Sequence, residues 1–112
     1  MQFLKNKIET EGKVINPTTL KVDSFLNHQM DPKLMYEMGQ EFKKRFEGRG
    51  INKILTIEAS GIAIAIMAGL AFDVPVVFAK KKKPSTMNDL YTTTVHSFTK
   101  KIDYDICLSK EF

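Results

Sequence analysis

The apolar positions of the chain fall into short patches of differing period, and each period predicts an element. In "QFLKNKIETEG", Phe3, Leu4 and Ile8 share one side of a helix that ends at Gly12. "KVI" and "LKV" flank the turn "NPTT", where Pro17 disfavours helix, and both read as short extended pieces. "DPKLMYEMGQEFKKRFEGRG" carries the strongest helical pattern. Asp31 can cap free N–H groups, Pro32 suits the first helical position, and Gly48 and Gly50 stop the helix. Lys43, Lys44 and Arg45 fall near its C-terminal end, where the helix dipole favours cations. Its stripe of Leu34, Met35, Met38, Phe42 and Phe46 is assigned to the core.

"KILTIE" is a β-rich run, "GIAIAIMAGLAF" a helix almost without polar residues, and "VPVVFA" a second apolar run. Strand, helix and strand in this order predict a βαβ unit with parallel strands, a right-handed crossover and burial on both strand faces. "LYTTTVHSFTK" and "YDICLS" each read as β, and the polar "KKID" between them predicts an antiparallel hairpin. The fold class is α/β.

Composition narrows the picture. A chain of 112 residues suits one domain with one core, so residues 1–112 are read as a single domain. At 43% hydrophobic and 27% charged, with eight Phe, it is globular. "MQFLKNKIETEG" has no signal-peptide apolar region, and the longest apolar stretch is too short to span about 30 Å of hydrocarbon. The single Cys107 leaves no intramolecular disulfide and fits a reducing cytosol. With His28 and His96 as the only histidines, a structural zinc site is not expected.

Charge then locates the chemistry. Lys80 to Lys83 account for the whole net charge of +4. A nucleic-acid footprint usually spreads cations over a face, whereas one local cluster suits a small anion better. In "EASGIA", the small residues Ala59, Ser60 and Gly61 let backbone N–H groups at a helix N-terminus approach an anion. An ordinary strand-to-helix turn, with Ser as cap and Gly as bend, reads the same way. "AKKKKPSTM" follows the neighbouring strand, so both stretches reach the carboxyl edge of one sheet, where α/β folds bind ligands. Pro84 argues against a continuous basic helix, and Ser85 to Asn88 form a polar segment able to close over a ligand.

"LKVDSFLNHQ", "KILTIEASGIA" and "VPVVFAKKKKPSTM", in this order and spacing, resemble the N-terminal part of the xanthine phosphoribosyltransferases, which are type I phosphoribosyltransferases. The resemblance implies a three-layer sheet and transfer of phosphoribose from phosphoribosyl pyrophosphate to N9 of xanthine. Mg²⁺ would accompany the pyrophosphate, and the enzyme would be a cytoplasmic homodimer of purine salvage, with no membrane or nucleic-acid partner. Catalysis would rest on positioning and on stabilising leaving-group charge around an oxocarbenium-like ribose. The resemblance makes Leu20 an apolar wall on the purine and Asn27 a donor and acceptor at its edge. It also makes Ala59, Ser60 and Gly61 the pyrophosphate turn, and Lys80 and Lys81 the opening of a mobile basic loop.

No residue is assigned as a catalytic nucleophile or metal ligand. The family's apolar strand ending in two acidic residues, which precedes its ribose-phosphate loop, has no counterpart in these 112 residues. The expectation is therefore a partial domain, inactive by itself, whose first parallel strand is an open edge. Two alternatives stand beside it: a ligand-sensing regulatory domain on the same fold, and a basic RNA-binding module.

Overall fold

A computed structural model describes residues 1–82, 85–97 and 101–112. Helix α1 (Gln2–Glu11) ends at Gly12, whose N–H donates to the Ile8 carbonyl. A small antiparallel ribbon follows, β1 (Lys13–Asn16) with β2 (Thr19–Lys21), bent by a shift in register between Val14 and Asn16. Helix α2 (Pro32–Phe46) starts as predicted. Asp31 Oδ1 accepts from the N–H groups of Lys33 at 3.0 Å and Leu34 at 3.2 Å, and Pro32 occupies the first turn.

The βαβ unit is present. β3 (Ile54–Ile57) runs parallel to β4 (Val76–Ala79), with α3 (Gly61–Phe72) crossing between them. β5 (Leu90–His96) and β6 (Asp103–Ser109) form the antiparallel hairpin, in register from Leu90 opposite Ser109 to His96 opposite Asp103. Phe98, Thr99 and Lys100, within the stretch read as strand and polar link, lie outside the described residues, as do Lys83 and Pro84. A bridge between Lys80 and Cys107 joins the hairpin to the end of β4.

The core gathers on Phe25, Leu34 and Met35, against which Phe3, Leu4, Ile8, Met38 and Ile64 pack. Phe25 is 1% exposed, although it stands in a turn rather than in a helix or strand. Backbone bonds from Gln29 N–H to the Asp23 carbonyl and from Asp31 N–H to the Phe25 carbonyl close the chain around it. The stripe on α2 is only partly core. Phe42 and Phe46 are left half open, in an apolar groove they share with Leu55 and Phe72. Nor are the parallel strands buried on both faces: Leu55 is 61% exposed and Ile57 44%. β3 has a hydrogen-bonded neighbour on one side alone among the described residues, so it forms an edge.

Helices α2 and α3 touch backbone to backbone. A Cβ placed on Gly39 would meet the Met67 carbonyl carbon and oxygen at 2.6 Å, and neither can rotate away. Gly39→Ala is expected to cost about 1–3 kcal/mol through overpacking. Gln40→Ala, on the exposed neighbouring position, should stay within about 0.5 kcal/mol. Denaturant unfolding of both variants checks this, and equal losses would remove the close contact from the explanation.

Lys7 ties α1 to the start of α2, with its ammonium 2.6 Å from Glu11 and 3.0 Å from Asp31. The Lys7 ammonium, followed by the Leu34 amide, holds the Asp31 carboxyl below its ordinary value of 3.8. Glu11, followed by Asp31, holds Lys7 above its ordinary 10.5. A lowered folded-state value means that Asp31 contributes stability above the ordinary carboxyl range and loses it as pH falls through that value. Lys7 contributes below 10.5 and loses its share as pH rises through its raised value. Melting temperature followed downward from pH 5 should therefore fall less steeply in Asp31→Asn than in the parent chain. Superimposable acid limbs would show that the pair contributes nothing.

Candidate functional site

β3 and β4 stay in register until Ile57 faces Ala79, and there the two chains part. Glu58, Ala59 and Ser60 turn into α3, and the Glu58–Ala59 peptide is cis. Lys80 peels off towards β6, where its N–H donates to the Cys107 carbonyl at 2.8 Å and its carbonyl accepts from Cys107 N–H at 2.7 Å. The two stretches that looked anion-binding thus emerge side by side from the carboxyl ends of neighbouring parallel strands.

The turn is built from small residues for a geometric reason. A Cβ on Gly61 would stand 2.5 Å from Thr56 Oγ1, so any larger residue there would force the Thr56 side chain to move. Ala59 and Ser60 are exposed. The Ser60 hydroxyl makes no cap hydrogen bond, which departs from the ordinary reading of Ser as a cap and leaves the first turn of α3 uncapped by a side chain. The positive end of the α3 dipole therefore faces outward beside the lysine run.

The lysines rest on aromatic rings. Lys80 Nζ lies 5.5 Å from the centre of Phe78, and Lys81 Nζ 5.4 Å from that of Tyr104 on β6. The backbone N–H of Lys81 donates to Glu58 Oε1 at 2.5 Å. Glu58, Tyr104 and the Cys107 backbone were not picked out from the sequence. Glu58 had a signal, being the acidic residue that closes β3 immediately before an anion-friendly turn. Tyr104 and Cys107 enter only through the docking of the hairpin.

Leu20 and Asn27 are placed elsewhere. Leu20 lies on the exposed ribbon, opposite Val14, and Asn27 is exposed in the turn around Phe25. Among the described residues no hydrogen bond joins either to the cluster at Glu58–Lys81. Ser85 and Thr86 form a turn after the lysine run. Among the described residues, no group of three or more His, Cys, Asp or Glu is arranged to hold a metal ion. No helix there is long and apolar enough to cross a membrane.

The fold matches that of a solved phosphoribosyltransferase. It superimposes with a TM-score of 0.70 on adenine phosphoribosyl transferase from Trypanosoma brucei, solved with AMP, pyrophosphate and ribose-5-phosphate, at 17% identity over 97% of this chain and 49% of that one. No protein-family model matches the chain. Its sequence is nonetheless similar, along its full length, to curated xanthine phosphoribosyltransferases. It is 59% identical to that of Oceanobacillus iheyensis, 57% to that of Clostridium acetobutylicum and 55% to that of Latilactobacillus sakei. It spans 58% to 60% of the length of these relatives.

The tight packing at Gly61 can be tested by paired substitution. Gly61→Ala is expected to lower stability by about 1 kcal/mol or more despite the better helix propensity of alanine, because the methyl group meets Thr56 Oγ1. Combining it with Thr56→Ala should return most of that loss in a double-mutant unfolding cycle. Strict additivity of the two changes would refute the contact.

Proposed function

We propose that the chain carries the pyrophosphate-binding side of a phosphoribosyltransferase site that uses xanthine. The observation that carries this reading is the placing of Ala59, Ser60 and Gly61 beside Lys80 and Lys81 at the carboxyl ends of two parallel strands. The relatives named for xanthine supply the base, and the neighbour solved with pyrophosphate supports the choice of anion.

In this reading the outward N–H groups at the start of α3 receive one end of the pyrophosphate, and the two lysine ammoniums meet its remaining charge. As the bond from C1 of the ribose to pyrophosphate lengthens, negative charge collects on the departing oxygens, and fixed donors beside them stabilise that charge. Lysine serves as a point charge here, without the bidentate geometry of arginine. Leu20 and Asn27 are proposed as purine contacts, the first through its apolar surface and the second through its amide. Mg²⁺ is proposed to arrive with the phosphoribosyl pyrophosphate, which supplies oxygen ligands that the described side chains do not gather on their own. The proposal includes a cytoplasmic homodimer acting in purine salvage.

Calorimetric titration with pyrophosphate tests the site. Lys80→Ala and Lys81→Ala should each weaken binding by about tenfold, roughly the 1.4 kcal/mol expected for a charge-assisted contact. Absence of pyrophosphate binding in the parent chain would sink the reading. Steeply salt-dependent RNA binding, abolished by the same substitutions, would replace it with the nucleic-acid reading.

A further inference from the structure

Where β3 and β4 diverge, the regular ladder has no partner left for the Lys81 N–H, because Lys80 has already turned to Cys107. Glu58 fills that gap. Its own N–H donates to the Ala79 carbonyl at 3.2 Å, continuing the ladder by one step. Its carboxylate then reaches past Lys80 to accept from Lys81 N–H at 2.5 Å. One residue thus grips the chain on both sides of Lys80, while Cys107 holds Lys80 itself through two backbone bonds. A hydrogen bond to a carboxylate is short and about twice as strong as a neutral one. A carboxylate is otherwise a poor neighbour for an anion site, since its charge opposes the ligand. Its presence there calls for a role that repulsion alone would disfavour.

We infer that Glu58 is a positioning residue, a clamp that fixes the Lys80–Lys81 backbone against the Ala59–Gly61 turn so that the two halves of the anion site are held together before ligand arrives. The inference rests on the pyrophosphate reading of this site. It assigns Glu58 no contact with substrate. The clamp acts through the Lys81 amide, and preorganisation of this kind raises affinity by removing an ordering cost from the binding step.

Two measurements on the 112-residue chain test it. Amide hydrogen exchange should show Lys81 N–H protected in the parent and in Glu58→Gln, which keeps an acceptor, and at least tenfold less protected in Glu58→Ala. Pyrophosphate titration should show Glu58→Ala about tenfold weaker. Glu58→Gln should bind within about threefold of the parent or more tightly, because it keeps the clamp and removes a negative charge beside the anion. Equal Lys81 protection in the parent and Glu58→Ala overturns the inference, as does a Glu58→Gln loss as large as that of Glu58→Ala. Unchanged pyrophosphate affinity in Glu58→Ala also overturns it. Should the parent bind no pyrophosphate, the functional reading fails, and Lys81 exchange alone then decides whether the clamp exists.

Discussion

Helix α3 carries no polar side chain, and how its neighbours pack against it decides the rest of the arrangement, although Ile66 and Leu70 stay exposed at 48% and 66%. α2 covers one flank, and it comes close enough only because Gly39 lets its backbone meet the backbone of Met67. β4 covers another, with Gly69 leaving room for Val76, whose Cγ2 would lie 2.5 Å from an added Cβ. These two glycine contacts seat α3 against its neighbours, so the direction of its N-terminus is set by packing. A preorganised donor array needs this kind of support, because helix-end N–H groups aim at an anion only as well as the helix axis is held.

The site grows from the termination of a ladder. Parallel pairing offers each backbone group a partner until the strands diverge, and at that point donors must be satisfied by other means. On the β4 side the answers are the Cys107 backbone for Lys80 and the Glu58 carboxylate for Lys81. On the β3 side the first turn of α3 receives no side-chain cap. The two sides differ: the groups that fix the lysine backbone are engaged by Cys107 and Glu58, while at the start of α3 the Ile62 N–H donates to the Ala59 carbonyl at 3.2 Å and no side chain caps the turn.

Much of this architecture was legible in the residues. The cap at Asp31, the ending at Gly12, the βαβ order and the terminal hairpin all follow from local rules of capping, turn chemistry and apolar period. Three features were not. Phe25 is the most deeply buried aromatic among the described residues, yet a single aromatic in a turn has no period to betray it. Gly39 looks like a tolerated blemish within a helix, and its worth depends on a second helix far along the chain. Phe42 and Phe46 share the stripe of Leu34 and Met35, but a stripe does not reveal how far the covering surface extends. Period reports which way a side chain points, whereas burial depends on what stands opposite. For the site, the turn and the lysine run could be paired from topology, while Leu20 and Asn27 stand on the resemblance alone, since neither position has a pattern of its own.

The resting places of the two lysines bear on how such a site would operate. An ammonium over an aromatic face is held by about 0.5–1 kcal/mol where exposed and by about 2 kcal/mol where desolvated, and Lys80 and Lys81 are half-buried. Phe78 and Tyr104 therefore keep Lys80 and Lys81 nearby without satisfying them. A phosphate oxygen offers a charge-assisted bond of about 1.5–3 kcal/mol, at least comparable, so the exchange from ring to anion needs only a small reorganisation. The backbone beneath these side chains is already held, by Cys107 at Lys80 and by Glu58 at Lys81, so the motion required is confined to side-chain rotation. A fixed backbone carrying loosely parked charges can receive an anion and release it again, which is what the proposed pyrophosphate site requires.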